Sequence, residues 1–304
     1  MVKKAVFLGS KKFGFNIFKT IYDANPSIDW MILCPPDFAD TRTYFAEFQQ
    51  FSQIKNLRLE IADTAEKVTE YAAEFAPDVM IVCGYYRILP TKLLDSISMG
   101  VWGIHNSLLP KYRGGSPLVW QLINNEEIVG SSFFKFTSGM DDGDILDQVK
   151  IHNSTGLTIC EASELIEHEW IRKIPVLWAG FVAGNIQPYE QKHQLATYCA
   201  QRQESDGLIE WAKSALDVDA FIRAQDFPYP RAFFKLDEQT VKVVKHKIDP
   251  RKIYGTPGQI FQVSSDFVTV CCAGHSAIQI HEVEVNGKLL AAKSILNSVK
   301  IRLS

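Results

Sequence analysis

Two short stretches of this 304-residue chain hold the residue types best suited to chemistry, GVWGIHNSLLPKYRGGSPLVW (residues 100–120) and GMDDGDIL (residues 139–146). His105 closes the apolar run VWGIH, and an imidazole is the side chain that most readily takes up or gives away a proton near neutral pH. The turn behind it carries Pro110 and the pair Gly114 and Gly115, which lets backbone come close to a ligand. The second stretch crowds Asp141, Asp142 and Asp144 around a tight glycine turn. A histidine and a carboxylate on loops at one sheet edge form an acid/base pair.

The elements that must position these loops follow from the hydrophobic pattern. AVFLGS, WMILC, LRLEIA, VMIVCG and VWGIHN are short β-type runs, and FGFNIFKTIYDAN, FAEFQQFSQI and TAEKVTEYAAEF show apolar residues at helical spacing between them. Strands alternating with helices predict an α/β fold with a doubly wound, mostly parallel sheet covered on both faces. His105 then lies at the carboxyl edge, where open α/β sheets hold their ligands. SSFFKFTSGMDDGDILDQVKIH reads as an antiparallel pair around the acidic turn, and residues 158–181 as a long amphipathic helix. The polar run QKHQLATYCAQRQESD (191–206) reads as a linker. GLIEWAKSALDVDAFIRAQ reads as a helix, and the short strands beyond it suit a small β-barrel. The expected domains are residues 1–195, catalytic, and 206–304, a small β domain.

Composition narrows the function classes. The net charge of −3 and the lack of a basic stripe argue against a specialised nucleic-acid binder. No apolar run approaches the twenty or so residues of a membrane span, and MVKKAVFLGS reads as a first strand rather than a signal peptide. Six cysteines show no zinc-type spacing, so no metal is expected and reduced thiols in the cytoplasm are. GSKKFG (residues 9–14) follows the first strand but matches neither a dinucleotide fingerprint nor a phosphate-binding loop, since Phe15 and Asn16 stand where Lys and Ser/Thr are needed.

GIHNSLLPKYRGGSPLVWQLIN and GMDDGDIL resemble the folate-dependent formyltransferases, whose pattern runs N-x-H-x-S-L-L-P-x-x-R-G and then G-x-D-x-G-D. VMIVCGYYRILP resembles the family's preceding strand and loop, and DGLIEWAKSALDVDAFIRAQDFPYPRAFF its appended C-terminal domain, of oligonucleotide-binding-fold (OB) type. The resemblance therefore covers nearly the whole chain. It implies a Rossmann-like formyltransferase domain in which an amine attacks the formyl carbon of 10-formyltetrahydrofolate through a tetrahedral intermediate. His105 would donate to the oxyanion or accept the amine's proton, and Asp141, the aspartate matching the motif, would orient it. The folate would lie against Ile81, Cys83, Tyr85, Arg87, Ile88, Leu89 and Pro90 on one side, and Leu108, Leu109, Gly139 and Asp144 on the other.

At one position the chain departs from this pattern. The family's asparagine lies two residues before the histidine, where this sequence has Gly103. Asn106 replaces the missing amide only if the strand has broken by that point, because consecutive strand side chains face opposite ways; otherwise backbone N–H groups or water must serve. Losing one oxyanion donor costs about 3 kcal/mol.

Three acceptors divide the family. Enzymes that formylate initiator tRNA carry a basic insertion after the second strand, whereas CPPDFADTRTYFAEFQQF has Arg42 as its one cation. Glycinamide-ribonucleotide enzymes are shorter, single-domain chains. KYRGGSPL resembles the enzymes that formylate nucleotide-linked amino sugars for O-antigen or related surface polysaccharide. On that resemblance Lys11, Tyr86, Ser107, Lys111, Tyr112, Arg113 and Gly114 contact substrate, with Lys12 and Trp102 nearby. The expectation is a cytoplasmic, homodimeric sugar N-formyltransferase, a dTDP- or UDP-linked 4-amino or 3-amino deoxysugar being its acceptor. Its rivals are methionyl-tRNA formyltransferase and a homologue that binds folate or nucleotide with impaired turnover.

Overall fold

A computed structural model describes residues 2–38, 40–154 and 156–303. They form two compact units. The first comprises residues up to 117, 130–151 and 164–199, and the second 118–129, 152–163 and from 200 onward.

The elements through the first 199 residues are β1 (Lys4–Leu8), α1 (Lys12–Ala24), β2 (Asp29–Leu33), α2 (Phe45–Lys55), β3 (Arg58–Glu60), α3 (Ala65–Phe75), β4 (Val79–Val82), α4 (Thr91–Ser96), β5 (Val101–His105), β6 (Arg113–Gly114), α5 (Pro117–Ile123), β7 (Ile128–Lys135), β8 (Ile145–His152), α6 (Ile159–Val182) and β9 (Tyr198–Cys199). Seven strands form a sheet in the order β3-β2-β1-β4-β5-β7-β8. β1 pairs in parallel with β2 and β4, as β4 does with β5, while β5 runs antiparallel to β7. This is the doubly wound, mostly parallel sheet expected from the alternating pattern.

Near-continuous apolar runs make these strands because both faces of the sheet are covered. On one face Val6, Leu8, Met31, Leu33, Met80, Val82 and Val101 pack with Val68, Phe75 and Leu93. On the other, the Phe7 ring lies 4.9 Å from Phe18 and 5.8 Å from Phe48. Full burial of one such ring stabilises the fold by about 1.5–3 kcal/mol. Strand order reverses between β1 and β4, so the loops after β1, β4 and β5 leave one edge around a topological switch point.

In the second unit α7 (Ala215–Ala224) is followed by β10 (Phe233–Leu236), β11 (Gln239–Ile248), β12 (Ile260–Val263), β13 (Val268–Cys272), β14 (Ser276–Val285) and β15 (Lys288–Ala291). The strands form a curled antiparallel sheet, a half-barrel, in the order β10-β11-β14-β13-β12 with β15 on β14. Register shifts between Val243, Lys245 and His246 bend β11 against β14. Val218 and Ile222 of α7 pack with Trp211, Val241, Val243, Ile278 and Ile280.

The structure corrects two readings of the sequence. The helix expected from residue 207 starts only at Ala215, because Ser214 caps it. The Ser214 hydroxyl accepts from Asp217 N (3.2 Å) and the Asp217 carboxylate accepts from Ser214 N (3.3 Å). The linker expected over 191–206 is shorter at its start: residues up to 199 belong to the first unit, where Gln191 is buried and β9 pairs in parallel with β6, and the boundary between the units falls between 199 and 200.

Candidate active site

β5 ends at His105, and the chain turns at once. The His105 carbonyl accepts from Ser107 N (2.8 Å) and from the Ser131 hydroxyl (3.0 Å). The turn is then fastened from β7 and β8. The Ser132 hydroxyl donates to Ser107 O (2.6 Å) and accepts from Leu109 N (3.0 Å), and Gln148 Nε2 donates to Leu109 O (2.9 Å). The Ser107 hydroxyl closes the turn on Lys111 O (2.7 Å). Tyr112 N and Arg113 N donate to the hydroxyl and carbonyl of Thr197 (2.8 and 2.9 Å). Gly114 has a φ of +102°, and a Cβ there would stand 2.5 Å from Cys199 O, so glycine alone admits this approach.

These fastenings bring two titratable groups together. His105 Nδ1 lies 3.6 Å from Asp141 Oδ2, and both side chains are largely buried. His105 Nε2 lies 2.8 Å from Tyr112 O. A carbonyl only accepts, so in this arrangement Nε2 carries the proton and Nδ1 is the basic nitrogen. Asp141 Oδ2 accepts from Gly114 N at 2.8 Å. Of the other two aspartates, Asp142 accepts at its carboxylate from the Thr137 hydroxyl, and Asp144 is held through its backbone, its carbonyl accepting from Lys135 N at 2.8 Å. Chemically, Nδ1 can take a proton while Asp141 stabilises the resulting cation.

Gly103 shares a strand face with His105, two residues away. A Cβ at Gly103 would meet Phe136 Cε1 and Val82 O at 2.6 Å each, so an aromatic ring fills the place of a side chain. The strand has indeed broken by Asn106, which is half-buried at the first position of the turn.

The loop after β1 has a different character. Lys11 is buried, with Nζ 3.2 Å from Asp37 Oδ2 and 2.9 Å from Asp40 Oδ2, and Asp40 also pairs with Arg42 at 3.0 Å. The Ser10 hydroxyl donates to Asp37 (2.7 Å). Two cations and two carboxylates balance here. Burial, with the nearby Asp37 charge, pushes the Cys34 thiol up to about 12 against a smaller opposing effect of Lys11, so it stays protonated at neutral pH.

The remaining sequence-derived positions fall into three groups. Tyr86 (73% exposed), Ile88 (92%), Arg87, Pro90, Lys111 and Gly139 are open to solvent, and Tyr85, Leu108, Tyr112 and Gly114 are half-buried. Ile81, Cys83, Leu89, Leu109, Ser107 and Arg113 are buried. Ser107 and Arg113, expected to contact substrate, are buried and also hold the turn. The Arg113 guanidinium lies on Gln191 Oε1 (2.7 Å) and His193 Nδ1 (3.0 Å). Sequence reasoning missed Ser132, Gln148, Gln191 and Thr197, polar residues whose main partners are backbone groups of distant loops. Among the described residues no group of three His, Cys, Asp or Glu side chains is placed to hold a metal ion.

Comparison with known proteins accounts for this arrangement. Residues 39–171 match the formyl transferase family and residues 202–300 its C-terminal domain. The methionyl-tRNA formyltransferase of Acetivibrio thermocellus is 30% identical over 295 residues, spanning 92% of this chain and 91% of that protein. The chain belongs to the formyl transferase family. Solved structures share the fold of this formyltransferase at low identity. The sugar 3N-formyl transferase WlaRD, solved with dTDP and 5-N-formyl-THF, superposes with a TM-score of 0.65 at 15% identity, over 94% of this chain and 98% of the other. A Helicobacter canadensis N-formyltransferase, in complex with folinic acid and dTDP-3-aminofucose, gives 0.65 at 15% identity over 92% and 99%. HypX from Aquifex aeolicus, in complex with tetrahydrofolic acid, gives 0.62 at 15% identity over 97% of this chain, which spans about half of HypX (47%).

Proposed function

We propose that this formyltransferase moves a formyl group from 10-formyltetrahydrofolate to the amine of a nucleotide-linked amino sugar. The observation that carries the acceptor is the balanced charge after β1 and β2. Lys11, Asp37, Asp40 and Arg42 satisfy one another, so these two cations are held by carboxylates rather than offered to an RNA backbone. The folate and dTDP-linked sugar in the structurally similar enzymes support the same reading.

The side chains present suit a folate. Tyr86 and Ile88 offer exposed apolar surface at the sheet's carboxyl edge, suited to a flat heterocycle. Arg87 and Lys111 are exposed cations for its carboxylates. When bound, the folate supplies the formyl carbon. His105 Nδ1 then accepts the proton released by the acceptor amine, Asp141 stabilises the imidazolium, and the proton passes on to the folate nitrogen as its bond to the formyl carbon breaks. Asn106, at the break of the strand, supplies the amide that Gly103 lacks. In this reading residues 1–195 hold folate and substrate, residues 206–304 complete the fold, and the protein works as a cytoplasmic homodimer.

Methionyl-tRNA is the second acceptor to consider, because a relative 30% identical over 92% of this chain is a methionyl-tRNA formyltransferase. The deciding experiment incubates the protein with 10-formyltetrahydrofolate and, separately, dTDP- and UDP-linked 4-amino and 3-amino sugars and charged initiator tRNA. We expect the mass of one added formyl group on a sugar and none on the methionyl-tRNA. Formylated tRNA alone would replace this reading with the second.

A further inference from the structure

Gln191 follows α6 in the polar run that carries no core pattern, yet it is 4% exposed. Its Nε2 donates to Asp141 O at 2.9 Å and to Gly143 O at 2.7 Å. Its Oε1 accepts from Arg113 Nε at 3.3 Å and from the second guanidinium nitrogen at 2.7 Å. One carboxamide thus uses both its ends, and the two ends serve different loops. Asp141 and Gly143 belong to the acidic turn between β7 and β8. Arg113 belongs to the turn after β5, between Tyr112, whose carbonyl meets His105 Nε2, and Gly114, whose N–H holds Asp141 Oδ2. The contacts close a ring from Gln191 to Asp141, to Gly114 and Arg113, and back to Gln191. His105 is attached to that ring through Tyr112.

We propose that Gln191 is a positioning residue that sets the spacing of His105 and Asp141 for formyl transfer, an inference that rests on the reaction proposed above. The chemistry of the position requires a carboxamide. A carboxylate would keep the acceptor for Arg113 but would face two carbonyl oxygens without a proton to offer. An ammonium group would donate to the carbonyls but could not accept from the guanidinium. A displacement of about 1 Å between reacting groups can cost about a hundredfold in rate, so a clamp on both loops acts on turnover more than on ligand affinity.

Gln191→Glu isolates the contact with the acidic turn, and the isosteric Gln191→Met removes both contacts without adding charge. We expect kcat to fall about 10- to 100-fold in each, with KM for 10-formyltetrahydrofolate and for the acceptor within about threefold of the unmodified protein. Thermal midpoints monitor folding, and if the charged variant unfolds the Met variant carries the same test. In the double variant Asp141→Asn with Gln191→Glu, the loss should not exceed that of Asp141→Asn alone by more than about twofold, because one acts through the other. Unchanged kcat in both single variants, or losses that multiply in full, would overturn the proposal. Should the unmodified protein formylate neither sugar nor tRNA, the reaction fails but the positioning remains testable. The His105 ring signals in NMR, assigned by their loss in His105→Ala, should shift in Gln191→Met, which releases both loops without adding charge. Ring signals unmoved by the Gln191 substitutions would overturn it.

Discussion

His105 with Asp141 in the first unit, and His246 with Asp219 in the second, are the same pair of residue types held in different ways. His246 Nε2 lies 2.9 Å from Asp219 Oδ1, and Arg223 Nε lies 2.7 Å from Asp219 Oδ2. Arg223 in turn donates to Leu157 O at 2.8 Å. Both carboxylate oxygens are therefore taken by side chains that are themselves nearly buried. Between His105 and Asp141 the gap is 3.6 Å, beyond a hydrogen bond, and Asp141 Oδ2 is met by the Gly114 N–H. The His246–Asp219 arrangement fixes its charges to support the fold. The His105–Asp141 arrangement leaves a basic nitrogen and a carboxylate within Coulombic reach of one another, which is what proton transfer requires.

The comparison can be broken or sharpened by experiment, the largest effect coming from the looser pair. His105→Ala should lower turnover about 10²- to 10⁴-fold while shifting the thermal midpoint by only a few degrees; turnover near that of the unmodified protein would move the chemistry elsewhere. Asp219→Ala should do the reverse. It leaves Arg223 and His246 without their carboxylate in a largely buried setting, so unfolding in urea should show about 2–3 kcal/mol of lost stability, with turnover per folded molecule unchanged. Gly103→Asn should destabilise by about 1–3 kcal/mol through overpacking against the Phe136 ring and Val82 O, and Phe136→Ala in the same chain should recover only the part due to the ring.

The smallest effect is a pH dependence. Burial pushes the Asp219 carboxyl up, but the hydrogen bonds from His246 and Arg223 outweigh it and hold the group below the usual carboxylate range. Because the folded value lies below the unfolded one, the contribution is fully present above the ordinary aspartate pKa of about 3.9 and is lost as pH falls beneath it. Thermal midpoints between pH 6 and 3 should therefore drop more steeply, by about a degree or more, in the unmodified protein than in Asp219→Asn. Equal slopes would remove Asp219 from the acid response.

Much of the fold was legible because parallel strands covered on both faces must be written as continuous apolar runs, as in β1, β2 and β4. The turn at His105 was legible through its proline and glycines, whereas Asp141 was told from Asp142 and Asp144 only by its match to the family's G-x-D pattern. The ring of contacts through Gln191 was not. A glutamine that clamps two backbone carbonyls leaves no periodicity, and its run of polar neighbours reads as solvent-exposed chain. Nor did the pattern show that Lys11 would be enclosed by Asp37 and Asp40, since an ion pair across 26 residues has no local signature. The late start of α7 follows from one capping serine, a signal outweighed by the helical spacing of the residues before it.

Gly103 and Phe136 also constrain how this site can change. An asparagine arriving first at position 103 would meet a ring already in place, whereas trimming Phe136 first would leave a gap that bare glycine does not fill. Each single step is unfavourable, and the pair relieves the contact with the ring while Val82 O stays in place, so the two positions are linked in any mutational path. A search by single substitutions would miss that path, and a library that varies 103 and 136 together would reach it.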